Sequence, residues 1–405
     1  MLLLLRLWSY ASPRGPGRSG PYERGVAELW RKCDEGDINL LTTLAGVSLR
    51  DEFPVLRRIA YLNAGTDGPI PQRAAAAAAA SIAAQTAAGR AGKPHFERVM
   101  ATREDLRRRA AWLMGCPPGE IALTHSTTDG MNLVLHGLGL GRGDEVVTTD
   151  EEHPGLLAPL AALAAEAGIS VKFAPFAEIA DAVTPQTKLI ACSHVSWVNG
   201  QVVDTGALAA TGVPVLLDGA QGLGAIPVDP VKLGCAFYAA AGQKWLCGPD
   251  QSGFLYVHED WIEPLGAPWP GYQSLADAQR AEELPLAEGA TRFDLGFPAP
   301  HDGDWAVASF EVFEQAGWDE VLSRGPRLAA QLAERLRERG LAVAPRGDST
   351  LVSFSVDDPD GFVARAAAAG VIIRHLPGRG IARASVGAWS DESDLERLLA
   401  LTSSP

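Results

Sequence analysis

Short apolar runs alternate with amphipathic stretches along most of this chain. The runs at 121–124, 145–149, 170–173, 189–193, 213–217 and 235–240 have strand length. Residues 131–138 and 156–166 lie between them with helical patterning. Upstream, 74–88 is almost wholly alanine and reads as helix. Residues 97–113 place Arg and Glu on one wet helical face. This alternation predicts an α/β fold with a mainly parallel sheet covered on both faces and right-handed crossovers. The run at 252–257 predicts one more strand, antiparallel to the rest. Residues 261–304 are rich in Pro, Gly and aromatics. Helices at 305–315, 321–339, 359–369 and 392–401 follow, with strands at Val343, 351–355, 371–373 and 381–386. These form a second, smaller α+β unit. Near the start, 22–33 reads as a short helix, and 40–53 as a connection crossing the surface.

The chemistry concentrates at strand ends. Asp218 closes the run 213–217, and Gln221 follows on a Gly-rich turn. Gln243 and Lys244 stand just beyond the run 235–240. A buried Asp needs a cationic or hydrogen-bonded partner. A Lys beside an apolar site can form a Schiff base with a carbonyl. Either residue alone reads equally as a capping Asp or a solvated Lys. Ser126, Thr127 and Thr128 precede a helix, where hydroxyls and free N–H groups suit either a phosphate or an ordinary cap. His153 reads as surface residue, cap or base. Trp197 follows the strand 189–193 as a core or site-facing aromatic. Asn63 lies in a turn-rich segment, 61–71, with Gly65, Asp67, Gly68 and Pro69. Arg374 and Arg383 sit on strands of the second unit, as surface arginines or as carboxylate binders.

Asp218-Gly219-Ala220-Gln221, then Gly242-Gln243-Lys244-Trp245, resembles the cofactor signature of fold-type I, class V aminotransferase-like enzymes. That family includes cysteine desulfurases, selenocysteine lyases, isopenicillin N epimerase and cyst(e)ine carbon–sulfur lyases, the last being the nearest in motif. The resemblance runs from about Tyr61 to Leu399. It implies a large domain with a mainly parallel seven-stranded sheet and a smaller C-terminal domain. The chain then divides into an extension at 1–20, an N-terminal segment at 21–60 packing near the small domain, a large cofactor-binding domain at 61–300 and a small domain at 301–405.

The cofactor implied is pyridoxal 5'-phosphate, linked to Lys244. Asp218 would hold its ring nitrogen, Gln221 its ring hydroxyl, and His153 would stack on the ring. Ser126, Thr127, Thr128 and Gln243 would hold the phosphate. Gln243 replaces the His often found before the Lys. Arg383 matches the Arg that grips a substrate α-carboxylate, and Arg374 another recurrent Arg. Trp197 and Asn63 would face substrate, with Trp269 and Tyr272 shaping its side-chain pocket. Relatives complete their sites at a dimer boundary near 291–297, which implies a homodimer. Here Phe297 stands where many carry Thr, leaving Thr291 or a backbone N–H to compensate.

The reaction implied is β-elimination from cystine or cysteine, giving pyruvate, ammonia and a sulfur product. Trp197 and the Gly200-Gln201-Val202 motif resemble the lyase. Desulfurases need an attacking cysteine after Arg374, and 375–380 contains none. Epimerisation and transamination stay open as alternatives. The substrate is a small amino acid.

Composition sets outer bounds. A chain of 405 residues with 47% hydrophobic content can bury a large core in two domains. A net charge of −14 gives no broad attraction to nucleic acid. The 5 cysteines, at 33, 116, 192, 235 and 247, have neither metal-site spacing nor a disulfide pattern, and no metal is expected. A cytoplasmic setting fits, and the apolar start, broken by Arg6, is too short to span a bilayer. No nucleotide-binding glycine motif or HExxH motif occurs.

Overall fold

The structure, a computed structural model, describes residues 48–296 and 298–402. The expectations for 1–20, 22–33 and Phe297 lie outside the described residues. The principal elements in order are β1 (Ala60–Tyr61), α1 (Gln72–Ala88), α2 (Gly92–Met114), β2 (Ile121–Thr124), α3 (Thr127–Gly137), β3 (Glu145–Thr149), α4 (Pro154–Ala167) and β4 (Ser170–Ala174). Then come β5 (Thr187–Ser193), β6 (Val215–Asp218), β7 (Phe237–Ala241), β8 (Gly253–Val257), α5 (Pro300–Ala316) and α6 (Trp318–Glu338). The chain ends with β9 (Leu351–Ser355), α7 (Pro359–Ala368), β10 (Val371–Ile372), β11 (Arg374–Leu376), β12 (Ile381–Ser385) and α8 (Glu392–Ala400).

Seven strands form one sheet in the order β2-β8-β7-β6-β5-β3-β4. β8 is antiparallel to both neighbours, and the remaining pairs are parallel. Side chains alternate between two apolar layers, as period 2 requires. Leu217, Tyr238 and Ala240 enter one layer, while Leu216, Phe237 and Ala239 enter the other. Both faces are therefore buried, and the strands read as continuous apolar runs. The carboxyl ends of β2, β3, β5, β6 and β7 share one edge. Open α/β sheets bind ligands at that edge.

The small domain holds an antiparallel sheet, β11-β12-β9. Val352, Phe354, Ala382 and Ala384 face its core. Arg383 and Ser385 alternate onto the opposite face. Arg374 and Ser353 are the register partners of Arg383 on either side, so the three share one row.

Two local features differ from expectation, at Val343 and at β1. Val343 makes only an isolated bridge to Phe354. Pro345 follows it and has no N–H with which to extend a ladder. Of the 40–53 connection only 48–53 are described, and they run from exposed Ser48 into the fold as expected. Phe53 is buried, with its ring 5.1 Å from Trp389 and 6.5 Å from Phe313. β1 was not foreseen, and it pairs in parallel with β10.

Candidate active site

Each strand end on the carboxyl edge delivers one part of a site. After β2, Ser126 caps α3, its Oγ accepting from Asp129 N at 3.1 Å. The N–H groups of Thr127 and Thr128 then lie in the first turn, where a helix leaves its donors free. The Thr127 hydroxyl is buried and has no partner among the described residues. Gln243 Oε1 is likewise buried and without a partner there.

After β3, His153 caps α4, its Nδ1 accepting from Gly155 N at 3.0 Å. That bond leaves the proton of a neutral ring on Nε2. Burial against the site walls, with the cations of Lys244, Arg374 and Arg383, pushes its imidazole down to about 4. His153 meets the Trp197 ring edge-on at 5.1 Å and 88°. Trp197 is only partly buried, and its Nε1 has no partner among the described residues.

Asp218, last residue of β6, is buried. Its Oδ1 accepts from Ala220 N at 2.9 Å. Burial raises its pKa, while the Lys244 ammonium and the Ala220 N–H oppose that rise. Beyond β7, burial lowers the Lys244 pKa, Asp218 works against this, and Arg383 adds to it. Lys244 is thus a weakened base facing a buried acid.

Gln221 is held in place by protein partners. Its Nε2 donates to Gly65 O at 2.8 Å, and its Oε1 accepts from Trp245 Nε1 at 3.1 Å. Only one amide N–H remains for a ligand. Asn63 bridges to Ser385 and accepts from Thr66 Oγ1 at 3.0 Å. Arg374 donates to Thr66 Oγ1 at 3.2 Å and to His375 O at 3.3 Å.

Arg383 carries the least satisfied charge. It is 0% exposed, and its Nη1 donates to Trp197 O at 2.5 Å. Its Nε and Nη2 have no partner among the described residues. Burial, reinforced by Arg374, pushes the guanidinium down to about 9. A buried cation lacking hydrogen-bond partners is costly unless an anion arrives. Gly65 makes room beside it: a Cβ there would lie 3.0 Å from Arg383 Nη2 and 2.7 Å from Ser385 Oγ.

Residues 60–398 match the aminotransferase class-V family. The chain belongs to that family. It is therefore a pyridoxal-phosphate enzyme of fold type I. A cystine C–S lyase, C-DES, solved with its reaction product cysteine persulfide, superimposes with a TM-score of 0.82 at 28% identity, over 86% of this chain and 99% of that one. A probable cysteine desulfurase of Pseudomonas aeruginosa is 31% identical, over 74% of this chain and 82% of its own. One from Halalkalibacterium halodurans is 29% identical, over 73% and 79%.

The donor set fits pyridoxal phosphate. Lys244 would hold its aldehyde and Asp218 its ring nitrogen. The N-terminus of α3, with the unpartnered Thr127 hydroxyl, would hold its phosphate. Neutral His153 offers a flat face. Trp269 and Tyr272 are exposed on the single chain, and Trp269 sits edge-on to His136 at 5.3 Å. Thr291 is partly buried in the turn Gly289–Phe293. Among the described residues no group of three or more His, Cys, Asp or Glu is placed to hold a metal. No helix there is long and apolar enough to cross a membrane.

Glu152 carries no functional signal in the sequence. It is buried and accepts from Thr149 Oγ1 at 2.6 Å, Ser193 N at 3.0 Å and Ser193 Oγ at 2.6 Å. It ties the β3 end, which carries His153, to the β5 end beside Asp218.

Proposed function

We propose that the protein is a lyase that eliminates a sulfur leaving group from Cβ of cystine or a cysteine-type amino acid. The observation that carries this reading is the unpartnered Nε and Nη2 of buried Arg383, a bidentate receptor for an α-carboxylate. The likeness to a cystine C–S lyase over nearly its whole length supports the choice of reaction.

Pyridoxal phosphate supplies, when bound, a sink for the electrons released at Cα. Arg383 orients the carboxylate. Lys244 Nζ, whose basicity burial lowers, would take the α-proton. Asp218 would hold a proton toward the ring nitrogen. His153 stays neutral, with its Nδ1 engaged by Gly155 N. The Cβ–S bond breaks, the electron pair leaves with sulfur as a persulfide or thiolate, and the three-carbon enamine hydrolyses to pyruvate and ammonia.

Desulfurase chemistry needs a thiol to attack substrate sulfur. The turn joining β11 and β12, 377–380, has none, and no cysteine lies beyond 247. Among the described residues Cys192, Cys235 and Cys247 are buried. Free cysteines suit the reducing, cytoplasmic compartment we assign to the protein. We also propose a homodimer as the working unit. Exposed Trp269, Tyr272 and Leu284 lie on the Pro-, Gly- and aromatic-rich segment 261–304, which the family resemblance places near a subunit boundary.

The test is an amino-acid panel in deuterated water read by mass spectrometry. Pyruvate, ammonia and a thiol or persulfide from cystine support the lyase. Intact substrate, deuterated and inverted at Cα, would mean epimerisation. Alanine with transferable sulfur would mean desulfuration, and keto acid formed only with an amino acceptor would mean transamination.

A further inference from the structure

The loop carrying Trp197 leaves the large domain after β5, yet its carbonyls are held by the small domain. Trp197 O accepts from Arg383 Nη1 at 2.5 Å. Val198 O accepts from Ser353 Oγ at 2.5 Å. Gly200 O accepts from Ser349 Oγ at 2.7 Å and from Gly347 N at 3.0 Å. Ser349 and Ser353 are both buried. Gly200 has φ +84, and a Cβ there would lie 2.7 Å from Ser349 Oγ and 3.0 Å from Leu351 O. The approach is therefore too close for any larger residue. From the other side, Ser196 Oγ at 2.5 Å and Asn199 Nδ2 at 3.0 Å donate to Glu151.

Ser353 is the register partner of Arg383. Two neighbouring side chains of one sheet row therefore grip two consecutive carbonyls. Arg383 keeps a free edge, while its other edge holds the Trp197 backbone. A shift of the guanidinium toward an incoming carboxylate pulls directly on Trp197, and Ser353 fixes the pivot one residue along.

We infer that Ser353 is a positioning residue that sets the Trp197 ring against His153 and couples carboxylate capture at Arg383 to the side-chain wall of the site. This rests on the proposed carboxylate role of Arg383. The coupling makes side-chain selectivity depend on a residue that need not touch substrate.

The experiment uses the full chain, loaded with cofactor and labelled with fluorotryptophan. The Trp197 fluorine resonance is assigned by its loss in Trp197→Phe. Without ligand, Ser353→Ala is expected to shift or broaden that resonance, and Ser353→Thr, which keeps the hydroxyl, to restore it. Ser349→Ala offers the same readout should Ser353→Ala fail to fold. An unchanged Trp197 resonance in both alanine variants overturns the inference. Acetate added to the unaltered protein should move the resonance saturably. Absence of any acetate response would sink the carboxylate reading of Arg383, while the ligand-free comparison still decides the role of Ser353. In turnover, Ser353→Ala should lower discrimination between a large and a small β-substituted substrate by roughly three- to tenfold, the size of one lost hydrogen bond. Unchanged discrimination counts against the coupling.

Discussion

Gly68 presses directly on the backbone of Lys244: a Cβ at Gly68 would lie 2.1 Å from Lys244 O and 2.6 Å from Cys247 Sγ. Gly68 N also donates to Gln243 O at 2.8 Å. The turn-rich segment at 61–71 thereby holds the strand end that carries the reactive amine. The turn after Lys244 is fixed from its far side as well. Cys247, strained at φ +53, gives its carbonyl to Trp305 Nε1 at 2.9 Å and Ser309 Oγ at 3.0 Å.

Gly68→Ala is therefore expected to displace Lys244 and cut kcat by at least about a hundredfold, since small misplacements of reacting groups cost that much. Borohydride reduction followed by peptide mapping checks it. In the unaltered protein the phosphopyridoxyl mark should sit on Lys244, and in Gly68→Ala its yield should fall. A mark on another lysine would refute the Lys244 assignment itself.

Glu152 gives a pH prediction. Burial is the main cause that pushes its carboxyl up to about 7, with the Asp218 charge adding to it and the Ser193 and Thr149 donors opposing it. A folded pKa above the unfolded value means stability that is present below about pH 4.5 and lost as pH rises toward 7. Gln at this position mimics the protonated form, because Ser193 Oγ can accept instead of donate. Relative to the unaltered protein, Glu152→Gln should gain about 2–3 kcal/mol of unfolding free energy between about pH 5 and pH 8. Denaturant melts of both proteins at the two pH values measure the difference. A constant difference would show that Glu152 is ionised throughout. The comparison cancels groups common to both proteins, such as His194, whose buried imidazole is pushed down to about 4.

The sheet and its chemistry were legible for one physical reason. A strand buried on both faces is a continuous apolar run, so Asp218 and Lys244 stand out where such runs end. Glu152 did not stand out, because Glu151-Glu152-His153 looks like a solvated turn. Only the fold brings Ser193, 41 residues away, onto its carboxylate. Ser353 and Arg383 are likewise unremarkable apart, and the β9–β12 register makes them neighbours. Phe53 gave no periodic signal, since its partners Phe313 and Trp389 lie far along the chain. Arg374 and Arg383 were picked out by resemblance. Their spacing carried no signal, because an antiparallel turn sets their opposition.

The dimer proposal has its own test. Trp269, Tyr272 and Leu284 are 47%, 52% and 48% exposed, large apolar areas for a surface to leave in water. Light scattering at assay concentration should give twice the chain mass. Leu284→Asp combined with Tyr272→Glu should shift the protein toward monomer and lower activity in step. A fully active monomer would defeat the proposal.

Arg383 faces the sharpest demand, because its charge is buried whether or not a substrate is present. Arg383→Lys removes the fork that binds a carboxylate through two parallel bonds and shortens the reach to Trp197 O. The paired bonds to the carboxylate and the bond to Trp197 O are lost or weakened, so kcat/KM for an amino-acid substrate should fall by at least about a hundredfold. The fall should appear mainly in KM if the carboxylate is held equally in ground and transition states, and in kcat if the grip tightens as Cα is deprotonated. Arg383→Ala leaves a space of guanidinium size beside Gly65, and added guanidine should restore part of the activity. An amine substrate lacking the carboxylate separates site from scaffold. Its slow turnover should fall far less under Arg383→Lys than that of the amino acid. If both substrates lose activity in parallel, Arg383 serves only to brace the Trp197 loop, and the carboxylate reading fails.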